Sequence, residues 1–310
     1  MTDPAGRVAL LSAPSNLGLR PPQPGSVPGC AKAPEALREA GLYRRLAELG
    51  ATDAGVVLPG RYADDAAPSR LRNQDAIIEH ARRLAGRISA LRQAGGVPLI
   101  IGGDCGLLVG AGLALRRAGD FGLIHIDGHT DFRHPGNSTN CASLAGEDLA
   151  AAVGVHWPAI SDIDGLSPYF RAADCVHLGC RDDDEHLAEV HQRLGAVIPA
   201  SSVIRQPIQA TAEQALAVVR RAGLAGYWLH LDVDVLDPLV MPAVDSPDPG
   251  GLSADTLTAL LAQLAPHAAG AQVTVFDPDL DPDGQHARLL TDIIVSGLAN
   301  LGSTSSAHDR

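Results

Sequence analysis

Apolar positions along the 310-residue chain follow two rhythms. Unbroken apolar runs of strand length occur at "RVALLSAP" (7–14), "VPLIIGGD" (97–104), "FGLIHID" (121–127), "CVHLGCR" (175–181), "GAVIPA" (195–200), "GYWLHLDVD" (226–234) and "AQVTVFDPD" (271–279). Other stretches repeat apolar residues every three or four positions: "APEALREAGLYRRLAELG" (33–50), "DAIIEHARRLAGRISALRQAGG" (75–96), "GLLVGAGLALRRAG" (106–119), "DDEHLAEVHQRLG" (183–195), "TAEQALAVVRRAG" (211–223) and "SADTLTALLAQLAP" (253–266). The first rhythm belongs to strands buried on both faces and the second to amphipathic helices. Their alternation predicts a three-layer α/β/α sandwich around a mainly parallel sheet, with residues 1–310 as one domain. The polar, Pro/Gly-rich stretches 135–170 and 277–288 are expected as loops, and 301–310 as a frayed tail. No internal repeat is visible.

Composition narrows the function classes. Hydrophobic residues make up 45% of the chain, enough for a sizeable core, while aromatic residues make up 3%, so Ala, Leu and Val do the packing. A net charge of −12 argues against a nucleic-acid or anionic-membrane partner. No apolar run approaches the roughly 18 residues of a membrane span. The start lacks the charged and apolar regions of a signal peptide. Five cysteines, an odd number with no CxxC pair, point to a reducing cytoplasm.

In an open parallel sheet, ligands bind where strands end. Three apolar runs end alike, in "IIGGDC", "IHIDGHTD" and "LHLDVDVLD". On an extended backbone, residues i and i+2 face the same way. Asp232 and Asp234 are therefore expected to point together, as are Asp127, His129 and Asp131. Clustered carboxylates repel, and a multivalent cation reverses that cost. Four carboxylates and an imidazole exceed one ion's usual protein shell and fit a two-metal site, with Mn²⁺ favoured by the oxygen-rich donor set. A lone DxD would read as a loop cap; two clusters at core-strand ends read as ligands.

The segments "GGDCG", "DGHTDF" and "HLDVDVLDP" resemble the signature segments of the arginase/agmatinase/formimidoylglutamase (ureohydrolase) family, which run GGDHS, DAHxD and SxDxDxxDP. "GCAKAPEALREAGL" (29–42) resembles that family's N-terminal GPxxLR segment. The resemblance covers roughly residues 25–300. It implies an eight-stranded parallel sheet and two Mn²⁺ ions per subunit. It also implies hydrolysis of a guanidino or amidino C–N bond by a hydroxide held between the ions, and a homo-oligomer. Carried over by position, Asp127 and Asp232 would bridge the metals. His129 and Asp234 would complete one metal site, and Asp131 and Cys105 the other. Asp131 would also accept a hydrogen bond from the hydroxide. Asp237 would shape a turn, and His125 and His230 are expected as packed core residues on the opposite face of the sheet.

The chain also departs from the family pattern. Position 105 is Cys where most members have His, and both a thiolate ligand and a small buried hydrophobe remain open readings. The family's downstream HG histidine is missing, which leaves His134 as the nearby candidate proton shuttle. Val275 stands where the family holds the guanidinium with Glu. Asp277, Asp279, Asp281 and Asp283 offer substitute carboxylates or form a solvated turn. Arg133 could meet a substrate carboxylate and Asp184 a substrate amine, with surface salt bridges as the alternative. The departures keep two further readings open: an enzyme acting on a formimidoyl or N-hydroxyguanidino amino acid, and a catalytically weak ligand-binding homologue.

Overall fold

Eight strands form one sheet in the computed structural model, which describes residues 7–304; the outer ends of the expected domain, 1–6 and 305–310, lie outside the described residues. The strands are β1 (Val8–Ala13), β2 (Thr52–Val56), β3 (Val97–Gly102), β4 (Gly122–Ile126), β5 (Cys175–Leu178), β6 (Ala196–Ile198), β7 (Tyr227–Asp232) and β8 (Gly270–Thr274). Their order is β2-β1-β3-β8-β7-β4-β5-β6, with every pairing parallel. All seven expected strands are present. The missed one, β2, is an edge strand whose residues are mostly exposed, so it lacks the apolar signature of its neighbours.

The helices are α1 (Ala33–Glu39), α2 (Leu42–Glu48), α3 (Gln74–Gln93), α4 (Leu107–Ala118), α5 (Asp148–Ala152), α6 (Pro158–Ser161), α7 (Leu187–Arg193), α8 (Ala200–Arg205), α9 (Ile208–Val219), α10 (Ala254–Leu264) and α11 (Gln285–Gly297). Two apolar cores sandwich the sheet. Leu10, Leu99, Ile124 and Leu229 pack with α1, α2, α9, α10 and α11 on one face. Leu11, Ile100, Leu123 and Trp228 pack with α3, α4, α5 and α6 on the other. The expected 135–170 loop contains the short helices α5 and α6, and the expected 277–288 loop gives way to α11 at Gln285. The expected tail is docked as far as Thr304, whose amide donates to Pro266 O at 2.9 Å. Among the described residues, no helix is long and apolar enough to cross a membrane.

β3, β4, β7 and β8 lie together at the centre of the sheet, so their carboxyl ends open on one shared rim. Gly128, just after β4, allows the turn after β7 to approach it: a Cβ there would fall 2.6 Å from Asp234 O. That approach brings the two acid clusters into one site.

Candidate metal centre

The acids converge, though not through strand parity. β4 stops at Ile126 and β7 at Asp232, and both chains turn at once. Asp127 Oδ1 accepts from His129 N at 2.7 Å, and Asp232 Oδ1 accepts from Asp234 N at 2.7 Å. These side chain–backbone loops fold each motif back on itself. Asp131 takes a positive φ of 46° in the same turn. The shared direction of the ligands is thus a property of two Asx-type turns rather than of an extended strand.

Cys105, in the turn between β3 and α4, points into the cluster. Its fully buried Sγ donates to Asp232 Oδ2 at 2.7 Å and lies 3.1 Å from Thr274 Oγ1. Sγ is also within 4.8 Å of an Asp127 oxygen, which keeps Asp127 and Asp232 inside the roughly 8 Å that a bridging pair allows. His129 Nδ1 meets Asp234 Oδ2 at 2.9 Å, and its Nε2 meets Asp248 Oδ2 at 3.0 Å. Asp127, His129 and Asp234 also place one donor atom each within 4.8 Å of the others.

The electrostatics follow from this crowding. Burial, then neighbouring acids, push the carboxyls of Asp127, Asp131 and Asp232 well above the usual range. Asp234 ends below the usual range because its bonds to His129 and to Gly128 N outweigh its burial. For His129, burial opposes the charge, but Asp234 and Asp248 outweigh it and raise the imidazole to about 10. Burial, then Asp232, holds the Cys105 thiol far above its ordinary value. Asp127 Oδ2 is buried without a hydrogen-bond partner. An orphaned carboxylate oxygen among repelling acids, with an imidazole and a sulfur at hand, is a donor set that fits divalent cations.

The cluster lies at the base of a cavity of about 760 Å³, whose lining includes Asp131, Arg133, Asp184, Asp232, Asp234 and Val275. Asp184 is held rigidly by Thr130 N at 2.9 Å, Thr130 Oγ1 at 2.6 Å and His186 N at 2.9 Å. Arg133 reaches the cavity but spends its guanidinium on Glu185 at 3.0 Å. His134 does not join the site. Its Nε2 faces Glu189 at 3.1 Å and its Nδ1 accepts from Gly136 N, so it braces its own loop and is no shuttle in this geometry. Three of the four candidate substitute acids are structural as well. Asp277 accepts from Gly29 N and Asp279 N, Asp279 pairs with Lys32, and Asp281 caps the start of α11. Asp237 shapes its turn as expected, accepting from Leu239 N and Gly250 N.

His125 and His230 correct another expectation. Each stands two residues before a ligand acid on an extended strand, so each shares that acid's face rather than opposing it. Both Nε2 atoms lie 3.9 Å from Asp127 Oδ2. With Asp148, buried beside Asp131, they form a polar layer beneath the acids. The repeated H-x-D at both strand ends was the available signal. Asp148 carried none, because it sits in a stretch that reads as loop. Two further groups were missed. Asp245 lines the cavity, where burial, then Asp234, lifts its carboxyl to about 6. Arg181 is buried and donates to the backbone oxygens of Asp234, Leu236 and Asp248, stitching together the turn that carries Asp234.

Comparisons with known proteins find relatives over nearly the whole chain. The sequence pattern described as the Arginase family matches residues 7–299. The arginase of Brevibacillus brevis is 29% identical over 278 residues, covering 86% of this chain and 91% of that one. The arginase of Agrobacterium fabrum is 30% identical over 293 residues, covering 87% and 86%. The solved structure of the arginase from Bacillus caldovelox superimposes with a TM-score of 0.83 at 27% identity, over 95% of this chain and 98% of that one.

Proposed function

The chain belongs to the arginase family, and from that premise we propose that its buried acid cluster holds two divalent ions and that the site hydrolyses a C–N bond of a small guanidino or amidino compound. One observation carries the reading: Cys105, Asp127, His129, Asp232 and Asp234 converge at the floor of the 760 Å³ cavity with Asp127 Oδ2 left unpaired. Asp127 and Asp232 would be the carboxylates shared by both ions. His129 and Asp234 serve one ion, and Asp131 and Cys105 the other. Mn²⁺ suits the carboxylate-rich shell, while the sulfur shifts the preference of one position towards softer metals. When bound, such ions act as Lewis acids and lower the pKa of water.

The chain's own side chains do the rest. His129 must give up its proton, now shared with Asp234 and Asp248, before its nitrogen is free to ligate. Asp184, fixed by three donors, offers its acceptor surface to a substrate amine at the cavity wall. Asp245 is one of the cavity carboxylates available to a cationic group. Val275 lines the cavity without a charge, which favours a second reading: a formimidoyl or N-hydroxyguanidino amino acid as substrate instead of arginine. Five unpaired buried cysteines support a reducing compartment, and a homo-oligomer completes the proposal.

The test is metal analysis of the purified protein together with turnover of a panel of guanidino, hydroxyguanidino and formimidoyl compounds. Two ions per subunit with turnover of one class supports the proposal. A metal-free protein that binds such a compound tightly without turnover would replace the enzyme with a sensor.

A further inference from the structure

The polar layer beneath the acids contains a hydrogen-bond chain with a fixed direction. β5, β4, β7 and β8 present His177, His125, His230 and Gln272 side by side in one register row. Trp228, two residues before His230, donates its indole N–H to Gln272 Oε1 at 3.1 Å. An indole nitrogen can only donate, so the amide oxygen must face it. The amide nitrogen of Gln272 therefore faces His230 Nδ1, at 2.8 Å. That nitrogen also can only donate, so Nδ1 of His230 is the acceptor and carries no proton. The imidazole has one proton left to place, and it is on Nε2.

His230 Nε2 lies 3.9 Å from Asp127 Oδ2, and one ring nitrogen of His230 lies within 4.8 Å of Cys105 Sγ. Neither it nor Asp127 Oδ2 has a hydrogen-bond partner among the described residues. By distance alone, a ring nitrogen of His230 also groups with His125 and Asp148 as a possible further metal site. The tautomer argues against that reading, because a ligating nitrogen needs its lone pair free.

We infer that His230 is a positioning residue: the Trp228–Gln272 chain holds it as an N–H donor aimed at the free oxygen of Asp127, steadying that carboxylate from below. The inference rests on the reading of Asp127 as a metal ligand. Its physical content is that the first donor in the chain, a tryptophan on the far side of two residues, dictates which face of the imidazole the acid cluster sees. Closure needs a movement of about 1 Å to bring 3.9 Å to hydrogen-bonding range.

The tautomer is read directly by ¹⁵N NMR of histidine-labelled wild-type protein, metal-free and loaded with diamagnetic Zn²⁺. The His230 signal, assigned by its loss in His230→Phe, should show a protonated Nε2 and a bare Nδ1 in both states. A bare or metal-shifted Nε2 in either state overturns the inference. The role is tested by Gln272→Glu, whose ionised carboxylate can only accept from both Trp228 and Nδ1, so that Nδ1 must carry the proton and the neutral ring turns its Nε2 lone pair towards Asp127; the ¹⁵N spectrum of the variant reads that shift. Mn²⁺ affinity should fall about 10–100-fold. If His230 were instead a ligand, the same substitution would build a carboxylate–histidine–metal arrangement and raise the affinity. A rise, or no change in a variant whose spectrum shows a protonated Nδ1 and a bare Nε2, overturns the positioning role. If Gln272→Glu fails to fold, the wild-type spectra still decide. A wild-type protein that binds no divalent ion but keeps the protonated Nε2 would end the metal reading while upholding the donor assignment.

Discussion

The thiol of Cys105 makes a countable prediction. Sγ is fully buried and donates a hydrogen bond to Asp232 Oδ2 at 2.7 Å. Burial, then Asp232, keeps that thiol protonated far above its ordinary range. If the sulfur ligates, its proton must leave when the metal enters. Cys105→Ser keeps a donor for Asp232 but has no ionisable thiol. Protons lost by Asp127, His129 and the other ligands are common to both proteins and cancel in the difference. The wild-type protein should therefore release one more proton per metal bound, and its affinity should climb ten-fold more steeply per pH unit, about 1.36 kcal/mol. Calorimetric titration with Mn²⁺ or Co²⁺ at pH 7, in buffers of different ionisation enthalpy, gives the proton count. Co²⁺ adds a thiolate charge-transfer band as an independent reading. Identical proton counts and no such band would place position 105 outside the metal shell. Cys105→His, which restores an imidazole, should raise Mn²⁺ occupancy if the sulfur is the poorer ligand for that ion.

Other expectations concern the cavity and its supports. With Val275 offering no charge, arginine and agmatine should turn over roughly 30-fold to several thousand-fold less well than a preferred substrate, the kinetic equivalent of a missing partner worth about 2–5 kcal/mol; equal kcat/KM across the panel would contradict it. Asp245 has a carboxyl raised to about 6, so its ionised fraction grows as pH rises through that value. If it binds a cationic group, KM should fall as pH rises through about 6, and Asp245→Asn should raise KM and erase that step. Arg181→Lys replaces a planar fork that reaches five backbone oxygens with a single ammonium. It should lower stability by about 1–3 kcal/mol in chemical denaturation and weaken metal binding, because the turn carrying Asp234 loses its stitching; an unchanged midpoint and metal affinity would show that the fork is dispensable.

Local chemistry settled much of this molecule before any fold was visible. Apolar runs buried on both faces gave seven of the eight strands, because a central parallel strand must be apolar on every side. β2 escaped because an edge strand is free of that demand. The acids of "DGHTD" and "LDVDVLD" were legible as candidate ligands because carboxylates that dense have few other uses at the end of a core strand. How they converge was not legible. It depends on where β4 and β7 stop and on Asx-type turns closed by single hydrogen bonds. His134 matched a role by residue type, yet its position opposite Glu189 turned it into a brace. Asp148 and Asp245 lay in stretches that read as loop, and only packing brought them beside Asp131 and Asp234. The tautomer of His230 is the clearest case. Trp228, His230 and Gln272 are ordinary residues on two strands 38 or more positions apart, and nothing in their spacing orders them. Registering β7 against β8 does so, because an indole that can only donate fixes, through an amide, which nitrogen of the imidazole keeps its proton.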